Sequence, residues 1–354
     1  MRTRKSIGTG SEMRFIRRAL IFLGLAALVA VVLALADILL LIFGSVLVAV
    51  ALHAISEPLV TYGRIPQRWS LTLAVLLVIS VIATAAVFLG PALAVEMRQL
   101  YDGIPSAFAR TAEMLQLGSF TDLLKGAGAA STLGNMLARF VTWSTTLLGA
   151  LSSIALVFVG GIYLAADSRL YRQGLVKMFP QSAHPNVVAT LDDAGEALRL
   201  WLAGQLIAMM LVGVLTGVGL WLVGVPSAFA LGLIVGLADF VPYVGPIFAA
   251  LPVILVASTQ DTQTLLWSLG ILLIVQQIES NLIVPLLGRR LVSLAPAVGL
   301  FSVISMGILL GPLGLLFGFP LAVVIDVAIR RLYVLDGLGE PVEILGKPAE
   351  KSHR

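Results

Sequence analysis

Apolar residues run in long blocks along most of this chain, and polar residues collect between the blocks rather than alternating with them. Alternation with a period of two would predict half-buried strands, and a single apolar stripe with a period of 3.6 would predict a helix with one wet face. Blocks that are apolar on every side predict helices with no wet face. They fall at about 19–36, 38–55, 69–95, 143–166, 200–223, 227–258, 263–287 and 291–329. Several reach about 18 residues or more, enough to cross a hydrocarbon core, and are too long for barrel strands. The pattern therefore predicts an all-α, polytopic helical membrane protein with about eight hydrophobic segments.

Two of the blocks are interrupted. LADFVPYVGPIFAALP, residues 237–252, carries an acid, three prolines and a glycine within near-pure hydrocarbon. Proline removes a backbone donor and clashes with the preceding turn, so Pro242, Pro246 and Pro252, with Gly245, should unwind the helix near 241–246. The last block is interrupted at Gly311-Pro312. Folded back at these points, the blocks become two proline/glycine-broken hairpins in the C-terminal half. Kinked single spans are the alternative.

Charge changes the picture by fixing orientation. Only 12% of the 354 residues are charged against 59% hydrophobic, with a mean hydropathy of +1.02; soluble domains carry about 25% charge. The net charge of +4 comes from short basic clusters near span ends, which reads as orientation and not as nucleic-acid binding. Residues 1–18 are basic and are expected to be a cytoplasmic N-terminus. An alternative is a signal peptide ending at Ala34-Leu35-Ala36. A tight hairpin divided at Asp37 is expected to join the first two spans, because one helix over 19–55 would be about 55 Å long. Three N-terminal transmembrane helices then fill 19–95, an extracytoplasmic helical insert 96–140, a transmembrane helix 141–166 and a cytoplasmic connector 167–199. The transport core is expected over 200–332 and a cytoplasmic tail over 333–354. Broken hairpins entering from each side put Arg289, Arg290, Arg330 and Arg331 inside, in keeping with the positive-inside rule.

Candidate chemistry sits at the interruptions. Unwound backbone at membrane depth is tolerated inside protein or beside water, and transporters use it to coordinate ions and polar substrates. Asp239 precedes the break and Tyr243 places a hydroxyl within it. A second cluster, QQIESNLIVP (276–285), is polar within an apolar helix. Gln276, Glu279 and Ser280 share a face, and Gln277 and Asn281 pair at i, i+4, followed by Pro285. Such a patch should face the bundle interior or a water-filled path, with interhelical hydrogen bonding as the plainer alternative. In the third, GILLGPLGLLFGFP (307–320), Gly307, Gly311, Pro312 and Gly314 serve gating or close packing. Asp326 lies four residues before Arg330, which suggests an interfacial ion pair. His53 and Glu57 share a face at the end of the second span, where a relay or simple hydration are both open.

Enzyme signals are missing. The sequence holds no Walker loop, no HExxH, no metal cluster and no cysteine, so no cofactor, metal site or catalytic residue is expected.

Three stretches carry a resemblance. GLADFVPYVGPIFAALP (236–252), IESNLIVPLLGRRLVSLAP (278–296) and GILLGPLGLLFGFPLA (307–322) resemble signatures of the autoinducer-2 exporter (AI-2E) family of transporters. Ala295 departs from that pattern, where the family often has histidine. Asp239 stands where the family is not uniformly acidic, so the resemblance gives it no family-wide role. The resemblance implies a multi-span secondary transporter of the inner membrane that forms a homo-oligomer. It implies a small polar molecule as the exported substrate, with Na⁺ or Li⁺ exchange for protons as the alternative. A channel or a non-transporting membrane scaffold is the third reading. Protons or Na⁺ would be the coupling ions and the lipid bilayer the surrounding partner.

Overall fold

In the computed structural model of the chain, residues 9–66, 69–84, 87, 91, 147–283 and 294–341 are described. The expected insert at 96–140, Pro285, Arg289, Arg290 and the tail beyond 341 lie outside them. Every regular element among the described residues is helical. In chain order these are α1 (Thr9–Ala34), α2 (Ala36–Thr61), α3 (Trp69–Thr84), α4 (Leu147–Ala166), α5 (Ser168–Lys177), α6 (His184–Leu222), α7 (Ala228–Ala238), α8 (Val244–Ser258), α9 (Thr262–Ile278) and α10 (Pro296–Ala328). π-helical turns prolong α9 over Glu279–Ile283 and α10 over Ile329–Leu338. Five of the described helical stretches are long and apolar enough to cross a membrane, and counting α4 and α5, bent by 86° from one another, as one span would give a sixth.

The first two helices differ from expectation. Leu39 N donates to Leu35 O and Leu35 N to Val31 O, so helical bonding runs through the junction. Only Leu35, at φ −98° and ψ 4°, leaves helical geometry. The described side chains of α1 are exposed from Ile16 to Leu35, which a tight hairpin packed on α2 would cover. The physical reason is local: Ala34-Leu35-Ala36-Asp37 contains no glycine or proline to reverse the chain.

Helix α2 packs along α4 through small residues. A Cβ added at Gly161 would lie 2.5 Å from Val48 Cγ1, so the two backbones approach as closely as glycine permits. Ala74 of α3 joins Ala49, Leu52 and Ala165 in this layer.

Helix α6 is the axis of the remainder. Its 39 residues give about 58 Å at 1.5 Å per residue, so it outreaches a hydrocarbon core of about 30 Å. Its first turns carry Asp192, Asp193, Glu196 and Arg199, and each is part of an ion pair. Arg199 meets Glu57 at 2.5 Å, Arg172 meets Asp192 at 2.6 Å, and Arg331 pairs with the buried Asp193. These pairs fasten the ends of α2, α5 and the α10 extension to one stretch of α6. The pair expected between Asp326 and Arg330 is present at 2.7 Å. His53 faces its own backbone, with Nδ1 3.0 Å from Ala49 O.

Both interrupted blocks fold back. Gly311 has φ 65° and ψ −148°, a conformation open to glycine alone among common residues, and α10 reverses there. Gly299 faces Phe319, Val303 faces Gly318, and Met306 faces Gly314. A straight helix would hold Gly299 and Phe319 about 30 Å apart. The first interruption separates α7 from α8, whose 11 and 15 residues are each too short to span alone.

Candidate functional site

Tyr243 sits at the turn of the first hairpin. Its φ of 68° and ψ of −43° are outliers for a residue with a Cβ, and Val244 N donates to Pro242 O at 2.8 Å to close a γ-turn around it. Proline at 242 disfavours the α conformation at Val241, the residue before it, and so helps to end α7 ahead of this turn. Gly245 lies against the end of α7: a Cβ there would collide with Ala238 O. Pro246 then starts α8, where its missing N–H costs no helical bond. Strain of this kind costs about 1–3 kcal/mol and persists where the surroundings over-determine it.

Asp239, at the C-terminal end of α7, is 1% exposed. Neither carboxylate oxygen has a hydrogen-bond partner among the described residues. Its backbone carbonyl is held instead: Gln205 Nε2 of α6 donates to Asp239 O at 2.7 Å. Glu279, at the end of α9, lies within electrostatic reach of both Asp239 and Tyr243. Gln276 Nε2 donates to Glu279 Oε2 at 2.9 Å. An ionised carboxylate without a partner is costly in so buried a place.

The structure thus brings together Asp239, Tyr243, Gln276 and Glu279 at the break. It turns Gln277 and Asn281 away. Asn281 Nδ2 donates to Gln277 Oε1 at 2.9 Å and to Gln277 O at 3.0 Å, and both residues are exposed beside Leu273, Ile274 and Leu282. The two amides therefore satisfy one another on the outer face of α9. Ser280 Oγ is likewise spent on Gln276 O at 2.8 Å. Gly307, Gly311, Pro312 and Gly314 form the tip of the second hairpin. Among the described residues no group of three or more metal-ligating side chains assembles.

Three features that position this site were not singled out from the sequence. The first is Gln205. The second is a glycine seam between α6 and α7. A Cβ on Gly232 would lie 2.6 Å from Gly213 O and from Gly217 Cα and N, and one on Gly236 would lie 2.6 Å from Met209 O. Each helix carries a small-xxx-small repeat, a readable signal for close helix approach. The third is Trp201 of α6, 6% exposed, whose ring lies 5.8 Å from Phe240 at the first break and 5.8 Å, stacked, from Phe319 of the second hairpin. One aromatic side chain thus links the two hairpins. Phe317 of the same hairpin packs edge-on to Phe43 of α2 at 6.1 Å.

A multi-pass helical bundle with two broken hairpins joined through Trp201, and a buried acid at the first break, has the architecture expected of a membrane transport protein. A sequence model of AI-2E family transporters matches residues 20–333, and the chain belongs to that family. It is 25% identical over 331 residues to the "Putative transport protein YueF" of Bacillus subtilis strain 168, covering 87% of this chain and 89% of that one. It is 25% identical over 296 residues to the "AI-2 transport protein TqsA" of Escherichia coli strain K12, covering 80% of this chain and 83% of that one. The family supports a role in membrane transport.

Proposed function

We propose that this chain is a proton-coupled secondary transporter that exports a small polar molecule by alternating access. The observation that carries the reading is Asp239, a buried acid with no hydrogen-bond partner among the described residues, at a break in an apolar helix. A carboxyl in that position can carry a proton when neutral and must find a counter-charge when ionised. Tyr243 and Gln276 supply the hydrogen bonds that would orient a polar substrate beside it. The name of the TqsA relative points to an autoinducer-2-like molecule as the substrate class. In this account the arms α7 and α8 enter the membrane without crossing it, the second hairpin enters from the other side, and both termini are cytoplasmic in an inner membrane. The carrier works as a homo-oligomer, with Gln277 and Asn281 on its outer face, and it catalyses no chemical reaction.

A second reading is favoured by Glu279. Two acidic groups within electrostatic reach of one another suit a site that exchanges Na⁺ or Li⁺ for protons. One experiment separates the readings. Proteoliposomes holding a pH-sensitive dye receive jumps of Na⁺, of Li⁺, or of an autoinducer-2-like furanosyl or linear dihydroxy-diketone solute. A saturable pH change with the organic solute alone supports export of a small polar molecule. A change with the cations alone replaces it with cation exchange. A non-saturating change, or none with any of the three, contradicts proton-coupled transport of these solutes.

A further inference from the structure

We propose that the cleft between α5 and the start of α6 is a binding site for the phosphate of an anionic phospholipid headgroup. Its walls enclose about 550 Å³ and present Arg169, Arg172, Gln173, Lys177 and His184. Arg172 is tied to Asp192 at 2.6 Å and donates to Val188 O at 3.4 Å. Arg169 and Lys177 make no ion pair among the described residues, so the cleft keeps an excess of positive charge. His184 Nε2 lies 3.0 Å from Phe179 O, which closes the rim between α5 and α6.

The helix that bears these cations is built for a membrane surface. It leaves α4 at 86°, so it runs along the bilayer plane when α4 crosses it. At 3.6 residues per turn, Arg169, Arg172, Gln173, Val176 and Lys177 fall on one side and Leu170, Tyr171 and Leu175 on the other. The apolar side continues into Met178 and Phe179 and is uncovered, with Leu170 60% and Met178 80% exposed. Uncovered apolar groups of this size in a surface helix rest at the boundary of acyl chains and headgroups. Arg172 and Lys177 then stand at the two borders of that face, at phosphate level, where snorkelling cations belong. Val176, 9% exposed, lies on the opposite side and lines the cleft with Arg169 and Gln173. A phosphate diester with a polar substituent fits the size and charge, and the uncovered apolar face favours a lipid over a free anion. This inference is independent of what the carrier transports.

The test uses the full chain in a non-ionic detergent, titrated with dihexanoyl phosphatidylglycerol, with bound lipid counted by native mass spectrometry. Dihexanoyl phosphatidylcholine and inorganic phosphate run in parallel. The expected result is saturable uptake of one phosphatidylglycerol, preferred over phosphatidylcholine. Arg169→Gln with Lys177→Gln should weaken it about thirty-fold, from the worth of two cations at a membrane surface. Gln173→Glu, which removes no cation but sets a negative charge in the cleft, should weaken it as well. Lys347→Gln with Lys351→Gln, an equal loss of charge from the tail, should leave it unchanged. Equal loss in the tail variant overturns the site in favour of general surface charge. Displacement by inorganic phosphate at concentrations comparable to the lipid overturns the lipid assignment and leaves a site for soluble phosphate. No preference over phosphatidylcholine overturns the proposal altogether.

Discussion

Adding one methyl group at Gly232 should damage both the bundle and the site. A Cβ there would stand 2.6 Å from Gly213 O and from Gly217 Cα and N. All three are backbone atoms, so no side chain can swing aside. Comfortable carbon contact begins at about 3.5 Å, and α6 and α7 must therefore part by about 1 Å. The Gln205–Asp239 bond, now 2.7 Å, spans the same pair of elements and would stretch beyond hydrogen-bonding range. Overpacking costs about 1–3 kcal/mol, whereas alanine in place of a helical glycine ordinarily gains about 1 kcal/mol. Because the clash is with backbone, the cost falls at the upper end of that range, leaving a net loss of about 2 kcal/mol. Gly195 of α6 makes the comparison, because a Cβ there meets nothing within 4 Å. Thermal unfolding in detergent, followed by tryptophan fluorescence, should show Gly232→Ala below wild type and Gly195→Ala at or above it. Solute flux in proteoliposomes should fall in Gly232→Ala alone. A Gly232→Ala protein as stable and as active as wild type would refute the reasoning, since it would mean that the seam is not closed in the working protein.

Other outcomes follow from single contacts. Asp239→Asn should leave the thermal midpoint nearly unchanged, because neither carboxylate oxygen gives up a hydrogen bond, yet abolish proton-coupled flux. Arg331→Met should destabilise by about 3–5 kcal/mol, because it breaks the ion pair made by the buried Asp193, and adding Asp193→Leu should recover part of the loss in unfolding scans. Asp261 caps α9 by accepting from Thr264 N at 2.7 Å, and that bond holds its carboxyl below the usual carboxylate range. A group with a lowered folded pKa contributes stability above its unfolded pKa and loses it as pH falls through the folded value. Wild type should therefore lose more stability than Asp261→Asn on acidification below about pH 4, in midpoints measured across that range.

Much of the fold was legible because its signals are local. Pro242, Gly245 and Pro246 together disfavour one continuous helix, and the structure breaks at the start of that cluster. Gly311 before Pro312 permits a reversal that no other pair in the last block allows, and the chain reverses there. The i, i+4 pairing of Gln277 with Asn281 is likewise a property of one helix. What could not be read depends on which helices meet. Gly213, Gly217, Gly232 and Gly236 advertise close packing, but a small-residue repeat does not name its partner. Gln205 is one amide in a long apolar run, and its role exists only because the seam brings Asp239 O to it. The polar patch of α9 was expected to face inward as a unit. Its rotation about the axis, set by the packing of α8 and α9, divides it into an inner pair and an outer pair. The hairpin expected at Asp37 failed because a polar residue after a long apolar run marks a membrane edge without supplying a turn.

Under alternating access the break at Tyr243 opens to one side of the membrane at a time. The chain has no cysteine, so a single Tyr243→Cys reports alone. Its labelling by a membrane-impermeant thiol reagent should be measured from each side of sealed proteoliposomes, before and after a proton gradient is imposed. The account predicts labelling from one side in the resting state and a shift of reactivity to the other side under the gradient. Simultaneous labelling from both sides would make the path a channel, and no labelling from either side under any gradient would reduce the break to a packing kink.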